Sequence, residues 1–174
     1  MNTEIQRSIV SAQTLEPVVE VLLKSKLNFL VWSKQHVEMY DGMIQAVTQA
    51  GFHVVVINNM ETVYFCHINN SPVRMIDDSV MEQIANDIKV AKSTGKRVAI
   101  MFKDVECFSG QDCRLLAMSL SDNIVAGVSL DEHDLIFAIG NVNDKGKPDF
   151  PEALKYNNIS FYAVSNRFMN YQYE

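Results

Sequence analysis

Apolar runs alternate with amphipathic stretches along this chain. Leu27 to Trp32, apolar but for Asn28, is a strand candidate. Val37, Tyr40, Met43, Ile44 and Val47 then recur at three- and four-residue spacing, which predicts a helix over 36–50 ended by Gly51. Phe52 to Ile57 predicts a second strand, and Thr62 to Ile68 a short one near a sheet edge. A long helix is expected from Asp77 or Asp78, with Val80, Met81, Ile84, Ile88 and Ala91 inward and a stop at Gly95. A strand from Arg97 through Phe102 follows, then a helix near 110–121 carrying Leu115, Leu116 and Leu120. Asp134 to Ile139 reads as a strand that closes on Gly140-Asn141. Outside this middle region, Thr14 can cap a helix through Leu23, Pro151 can open a short turn to Leu154, and Ile159 to Val164 reads as the last strand. Strands separated by helices imply an α/β fold: a three-layer sandwich around a mainly parallel sheet of about five strands. No repeat or linker interrupts the pattern, so residues 1–174 are expected to form one domain. Ligands of such sheets sit beyond the carboxyl ends of the strands.

Composition narrows the chemistry. The net charge is −6, which argues against a broad nucleic-acid surface, because phosphate binding relies on Lys and Arg to release counterions. The local basic group Lys89, Lys92, Lys96 and Arg97 lies at a helix end and a strand start, where such charges complement the helix dipole. Cys66, Cys107 and Cys113 form no C-x-x-C pair, fit a reducing cytoplasm and read as free thiols packed as small hydrophobes. A nucleophilic thiol at the helix start flanked by Cys107 and Cys113 is the alternative, with no histidine placed to serve it. Cys66-His67 lacks metal-ligand register, and His36, His53, His67 and His133 are dispersed, with His36 and His133 expected in loops. No metal or other cofactor is expected. No secretory signal and no apolar stretch of ~20 residues is present, so the reading is cytoplasmic, with no membrane partner.

The stretch RVAIMFKDVECFSGQDCRLL, residues 97–116, carries the most specific signal. An apolar strand there delivers the carboxylates of Asp104 and Glu106, and a leucine-paired helix follows. Taken with FLVW at 29–32, DLIFAIGNVND at 134–144 and PDFPEALKYNNISFYAV at 148–164, it resembles the core of an AAA+ ATPase, the MoxR-like branch in particular, over roughly residues 10 to 168. The resemblance implies a P-loop NTPase-like fold. It places Asp104 as a remnant of the Walker B acid, and Asn141 as a remnant of the sensor-1 polar residue. An unrelated doubly wound domain would share the apolar strands and their trailing acids, so that alternative stays open.

The chain departs from the family where phosphate is handled. A phosphate loop, G-x-x-x-x-G-K-[ST], aims backbone N–H groups and a lysine at the phosphates. The equivalent stretch here, WSKQHVEMYDG, has no glycine before Gly42 and brings Glu38 and Met39 to about the places of the second glycine and the lysine. Asp104 is followed by Val105 rather than by a catalytic Glu, and the other register puts Lys103 at the magnesium-binding position. Lys155 stands near where the family expects an arginine, and the family's helical lid is expected to be missing. The expectation is a pseudo-ATPase: a non-catalytic module that acts through protein contact as adaptor, assembly subunit or inhibitor, with an AAA+ ATPase as one candidate partner. Its size and altered site would suit an accessory protein of a virus or mobile element. Tyr40, Phe108, Arg114, Arg167, Phe168 and Tyr171 are the candidate interface anchors, since aromatics and arginines dominate binding hot spots. The alternatives are a nucleotide-binding subunit with an atypical site, and a nucleic-acid accessory protein.

Overall fold

The computed structural model describes Lys24 and residues 28–34, 36–58, 64–68, 71–75, 78–108, 110–147, 149 and 168–173. The expected front helix at 14–23, the turn at 151–154 and the strand at 159–164 lie outside the described residues. In chain order the elements are β1 (Asn28–Ser33), α1 (His36–Gln49), β2 (Phe52–Ile57), β3 (Tyr64–Ile68), β4 (Ser71–Met75), α2 (Asp78–Ser93), β5 (Arg97–Phe102), a 3₁₀ turn (Val105–Cys107), α3 (Gly110–Asp122), β6 (Ile124–Val125), β7 (Val128–Ser129), β8 (Leu135–Asn141) and β9 (Phe168–Tyr173).

Five strands form one sheet in the order β2-β5-β8-β1-β9. Every neighbouring pair is parallel. Strand alternation sorts the core into two faces. Val31, Ala99, Met101, Phe137 and Ile139 pack with Met39, Tyr40, Met43 and Val47 of α1 on one side. Leu30, Trp32, Ile100, Phe102 and Ile136 pack on the other side, with Ile84 and Ile88 of α2 and Leu116 and Leu120 of α3. The three-layer α/β expectation therefore holds. Because β5 and β8 are covered on both faces, their sequences read as unbroken apolar runs.

Two parts of the pattern differ from expectation. The 62–68 strand does not line the main sheet: β3 pairs antiparallel with β4 in a hairpin of its own, with Pro72 opposite His67. Proline in a run argues against a strand, which hid β4. The second is β9. No strand is expected over 168–173, where Phe168 and Tyr171 are interface candidates, yet its backbone pairs with β1 along the whole length of that strand, Asn28 with Phe168 through Ser33 with Tyr173. The small β6–β7 ribbon turns through Ala126 and Gly127, both at positive φ (50° and 76°), the geometry that tight hairpins demand.

β1 is the pivot of the sheet. The chain leaves it for the β2 edge, returns through β5 to β8 on one side of it, and then crosses to β9 on the other. The crevice at the carboxyl ends of β1 and β8 is thus the topological switch point.

Candidate functional site

Four segments meet at that crevice. β1 ends at buried Ser33, paired in register with Asn141 at the end of β8. α1 begins at His36, so only Lys34 and Gln35 separate strand from helix. β5 ends at Phe102; Lys103 and Asp104 follow before the 3₁₀ turn that holds Glu106. His36 is therefore a helix-starting residue and not a loop residue. Glu38 sits in the first turn of α1, and Met39 points into the core at 5% exposure.

The sequence suggested that Asp104 and Glu106 share a face of an extended strand. They converge by another route. Asp104 adopts the left-handed conformation (φ 51°, ψ 46°), which an Asp tolerates better than most residues, and the chain tightens into the 3₁₀ turn. Both carboxylates then reach the same imidazole. His36 Nε2 lies 2.8 Å from Glu106 Oε1 and 3.9 Å from Asp104 Oδ1. The Tyr40 hydroxyl donates to Asp104 Oδ1 and accepts the Asp104 backbone N–H at 3.2 Å. The Asn141 backbone N–H donates to Glu106 Oε2 at 3.1 Å. The Lys103 ammonium does not enter the cluster; it stacks over the Tyr40 ring, 4.3 Å from the centroid. Burial, then the hydrogen bond to the Asp104 carboxylate, raises the Tyr40 phenol well above its ordinary range, so it is a neutral donor here.

Electrostatically, the positive end of α1 meets carboxylates of this same chain. Asp104 and Asn141, which the sequence placed at the site, are brought to one end of the sheet and are linked through His36 and Glu106. Sequence reading missed His36, Tyr40 and the role of Glu106. The one available signal was the i, i+4 spacing of His36 and Tyr40, which puts both on one face of a helix. His36, Asp104 and Glu106 also form a group whose ligand atoms all lie within 4.8 Å of one another, although the dispersed histidines had suggested no metal centre.

The expected interface anchors divide. Tyr40 and Phe108 are each 5% exposed; Tyr40 faces the site, and Phe108 packs edge-on against Phe102. Both are corrected to interior residues. Arg114 falls on α3, Phe168 and Tyr171 on β9, and Arg167 lies outside the described residues. The basic group divides as well: Lys89 and Lys96 are exposed, and the other two members are engaged within the chain. Lys92 donates to Asp131 Oδ2 at 2.7 Å and also to Asp134. Arg97 donates to the Ala50 carbonyl at 2.7 Å and covers the Phe52 ring. Cys113 is buried, and burial pushes its pKa up to about 12, away from an activated thiolate. No helix among the described residues is long and apolar enough to cross a membrane.

No protein-family model matches the chain, and no curated protein matches it. Solved structures do. A chain in the structure of Drosophila ORC bound to GC-rich DNA and Cdc6 superposes with a TM-score of 0.51 at 14% identity over 93% of this chain, and a chain of the same assembly bound to poly(dA/dT) DNA gives 0.51 at 14% over 94%. The ORC2 protein of Aeropyrum pernix, with ADPNP and ADP, gives 0.45 at 12% over 99%. This chain spans 28% and 29% of the two Drosophila chains, under a third of their length. The likeness to the Drosophila chains shows the fold alone, an α/β sandwich around a mainly parallel sheet.

Proposed function

We propose that this chain is a non-catalytic AAA+-like module that acts through protein–protein contact, as an adaptor, an assembly subunit or an inhibitor of another ATPase or complex. The observation that carries the reading is the direct passage from β1 to α1 with only two residues between them. A phosphate cradle spans eight motif residues, a glycine-rich loop that runs into the first turn of the helix; a two-residue link without glycine is too short to form that loop. The Asp104 and Glu106 carboxylates at the mouth of the crevice, with Glu38 in the first turn of α1, would repel a triphosphate. With nucleotide chemistry set aside, the outer surface is left to do the work. The Drosophila neighbours come from an assembly with Cdc6 and DNA, which is in keeping with a contact role for this fold.

Calorimetry and thermal melting with millimolar Mg-ATP test the first half. A ligand at 100 times its Kd stabilises by about 2.7 kcal/mol, so a saturating nucleotide would raise Tm clearly. No heat and no shift are expected; a clear shift favours the nucleotide-binding alternative. Affinity capture from the native host, followed by light scattering on the reconstituted complex, tests the second half. A nucleotide-insensitive complex burying at least ~1,200 Å² is expected. A salt-sensitive, sub-micromolar DNA affinity with no protein partner would instead favour the nucleic-acid reading.

A further inference from the structure

We propose that His36, Asp104 and Glu106 bind one divalent first-row transition-metal ion without any nucleotide. Three separate pieces of chain, the start of α1, the residue after Lys103 and the 3₁₀ turn, deliver one nitrogen and two carboxylate ligands to a common point. A metal with bonds of 2.0–2.2 Å sets tetrahedral ligand atoms about 3.4 Å apart. The two His36 distances, 2.8 Å to Glu106 and 3.9 Å to Asp104, straddle that spacing, so small side-chain rotations in opposite senses would meet it. Charge points the same way. Neither carboxylate has a Lys or Arg within ion-pair range among the described residues, and the nearby Lys103 ammonium is held over Tyr40. A divalent ion supplies the charge that two converging carboxylates lack.

The two carboxylates have the outer hydrogen bonds that orient metal ligands: the Tyr40 hydroxyl fixes Asp104 and the Asn141 backbone N–H fixes Glu106. His36 Nδ1, by contrast, is buried without a partner among the described residues. The imidazole selects zinc, cobalt, manganese or iron over magnesium, which prefers oxygen and water. The side chains of His36, Asp104 and Glu106 are 15%, 29% and 13% exposed, so the point is lined yet reachable. Three protein ligands leave a position open for water or an exogenous group. This inference is independent of the proposed contact role, because nucleotide titration reads one and metal titration the other.

The test is titration of the chelator-treated full chain with Zn²⁺ by calorimetry and with Co²⁺ by visible absorption. One equivalent should bind at micromolar Kd or tighter, and the cobalt spectrum should lack a thiolate charge-transfer band. Tyr40→Phe should weaken binding ~10–100-fold, as loss of an outer hydrogen bond does, and Glu106→Gln and His36→Ala by more. Circular dichroism in chelator checks that each variant folds; if one does not, the wild-type cobalt spectrum decides. No binding below ~100 μM metal, a thiolate band, or an unchanged Kd in folded Glu106→Gln would overturn the proposal.

Discussion

Gly140 has no side chain because Trp32 occupies its place. A Cβ added there would lie 2.6 Å from Trp32 Cε3 and closer still to Cζ3. Trp32 is 1% exposed and has no room to retreat. Gly140→Ala is therefore expected to destabilise by at least the ~1–3 kcal/mol typical of overpacking, read as a lower denaturant midpoint at unchanged m-value. The two described thiols diverge for a similar local reason. Cys107 is exposed and Cys113 is buried, with its pKa pushed up to about 12. Alkylation of the native protein near pH 8, read by mass spectrometry, should label Cys107 and spare Cys113. Because the folded thiol holds its proton more tightly than the unfolded one, its contribution to stability is complete below the ordinary thiol pKa of ~8.5 and is lost as pH rises towards 12. Periodicity could not separate these residues. Gly140 and the cysteines were visible as letters, but what each touches depends on strands distant in sequence.

The elements are joined by caps and by one charged hub. α2 ends in a Schellman arrangement: Gly95 N–H donates to Lys92 O at 3.0 Å and Lys96 N–H to Ala91 O at 3.2 Å, with Gly95 at φ 74°. Gly95→Ala should cost ~1–2 kcal/mol for the left-handed backbone alone, measurable by thermal melting. Just before that cap, Lys92 bridges Asp131 and Asp134, and Asp134 Oδ1 accepts the Val98 N–H at 2.8 Å. One carboxylate thus ties α2, the start of β5 and the loop before β8. Lys92→Ala leaves Asp134, 1% exposed, without its cation, and should cost ~1.5–3 kcal/mol. The hydrogen bond from Lys92 holds the Asp131 carboxyl below its ordinary value of 3.8, so that part of the stability is present above about pH 4 and fades as pH falls further. The difference between wild type and Lys92→Ala in urea melts should narrow on acidification. At this scale the sequence was legible. α1, α2, α3, β1, β2, β5 and β8 all follow from spacing, since each carries its own face or a doubly covered run. β4 and β9 did not, because proline masked the first and mixed polar and aromatic residues masked the second.

For the whole molecule, the candidate site is where legibility ended. Asp104 and Asn141 could be placed by resemblance, but His36 and Tyr40 could not, because Tyr40 meets Asp104 across 64 positions of chain and only the sheet order brings them together. Strand order is set by crossovers and packing, and neither leaves a local mark in sequence. The same order has a consequence for biosynthesis. β1 emerges among the first described residues, yet its β9 flank comes from 168–173. Until that segment is made and paired, β1 is an edge strand whose unpaired backbone N–H and C=O groups can pair with another nascent chain. Pairing so remote in sequence is also slow to close. This protein should then refold slowly, aggregate when residues 168–173 are withheld, and depend on chaperone protection during synthesis.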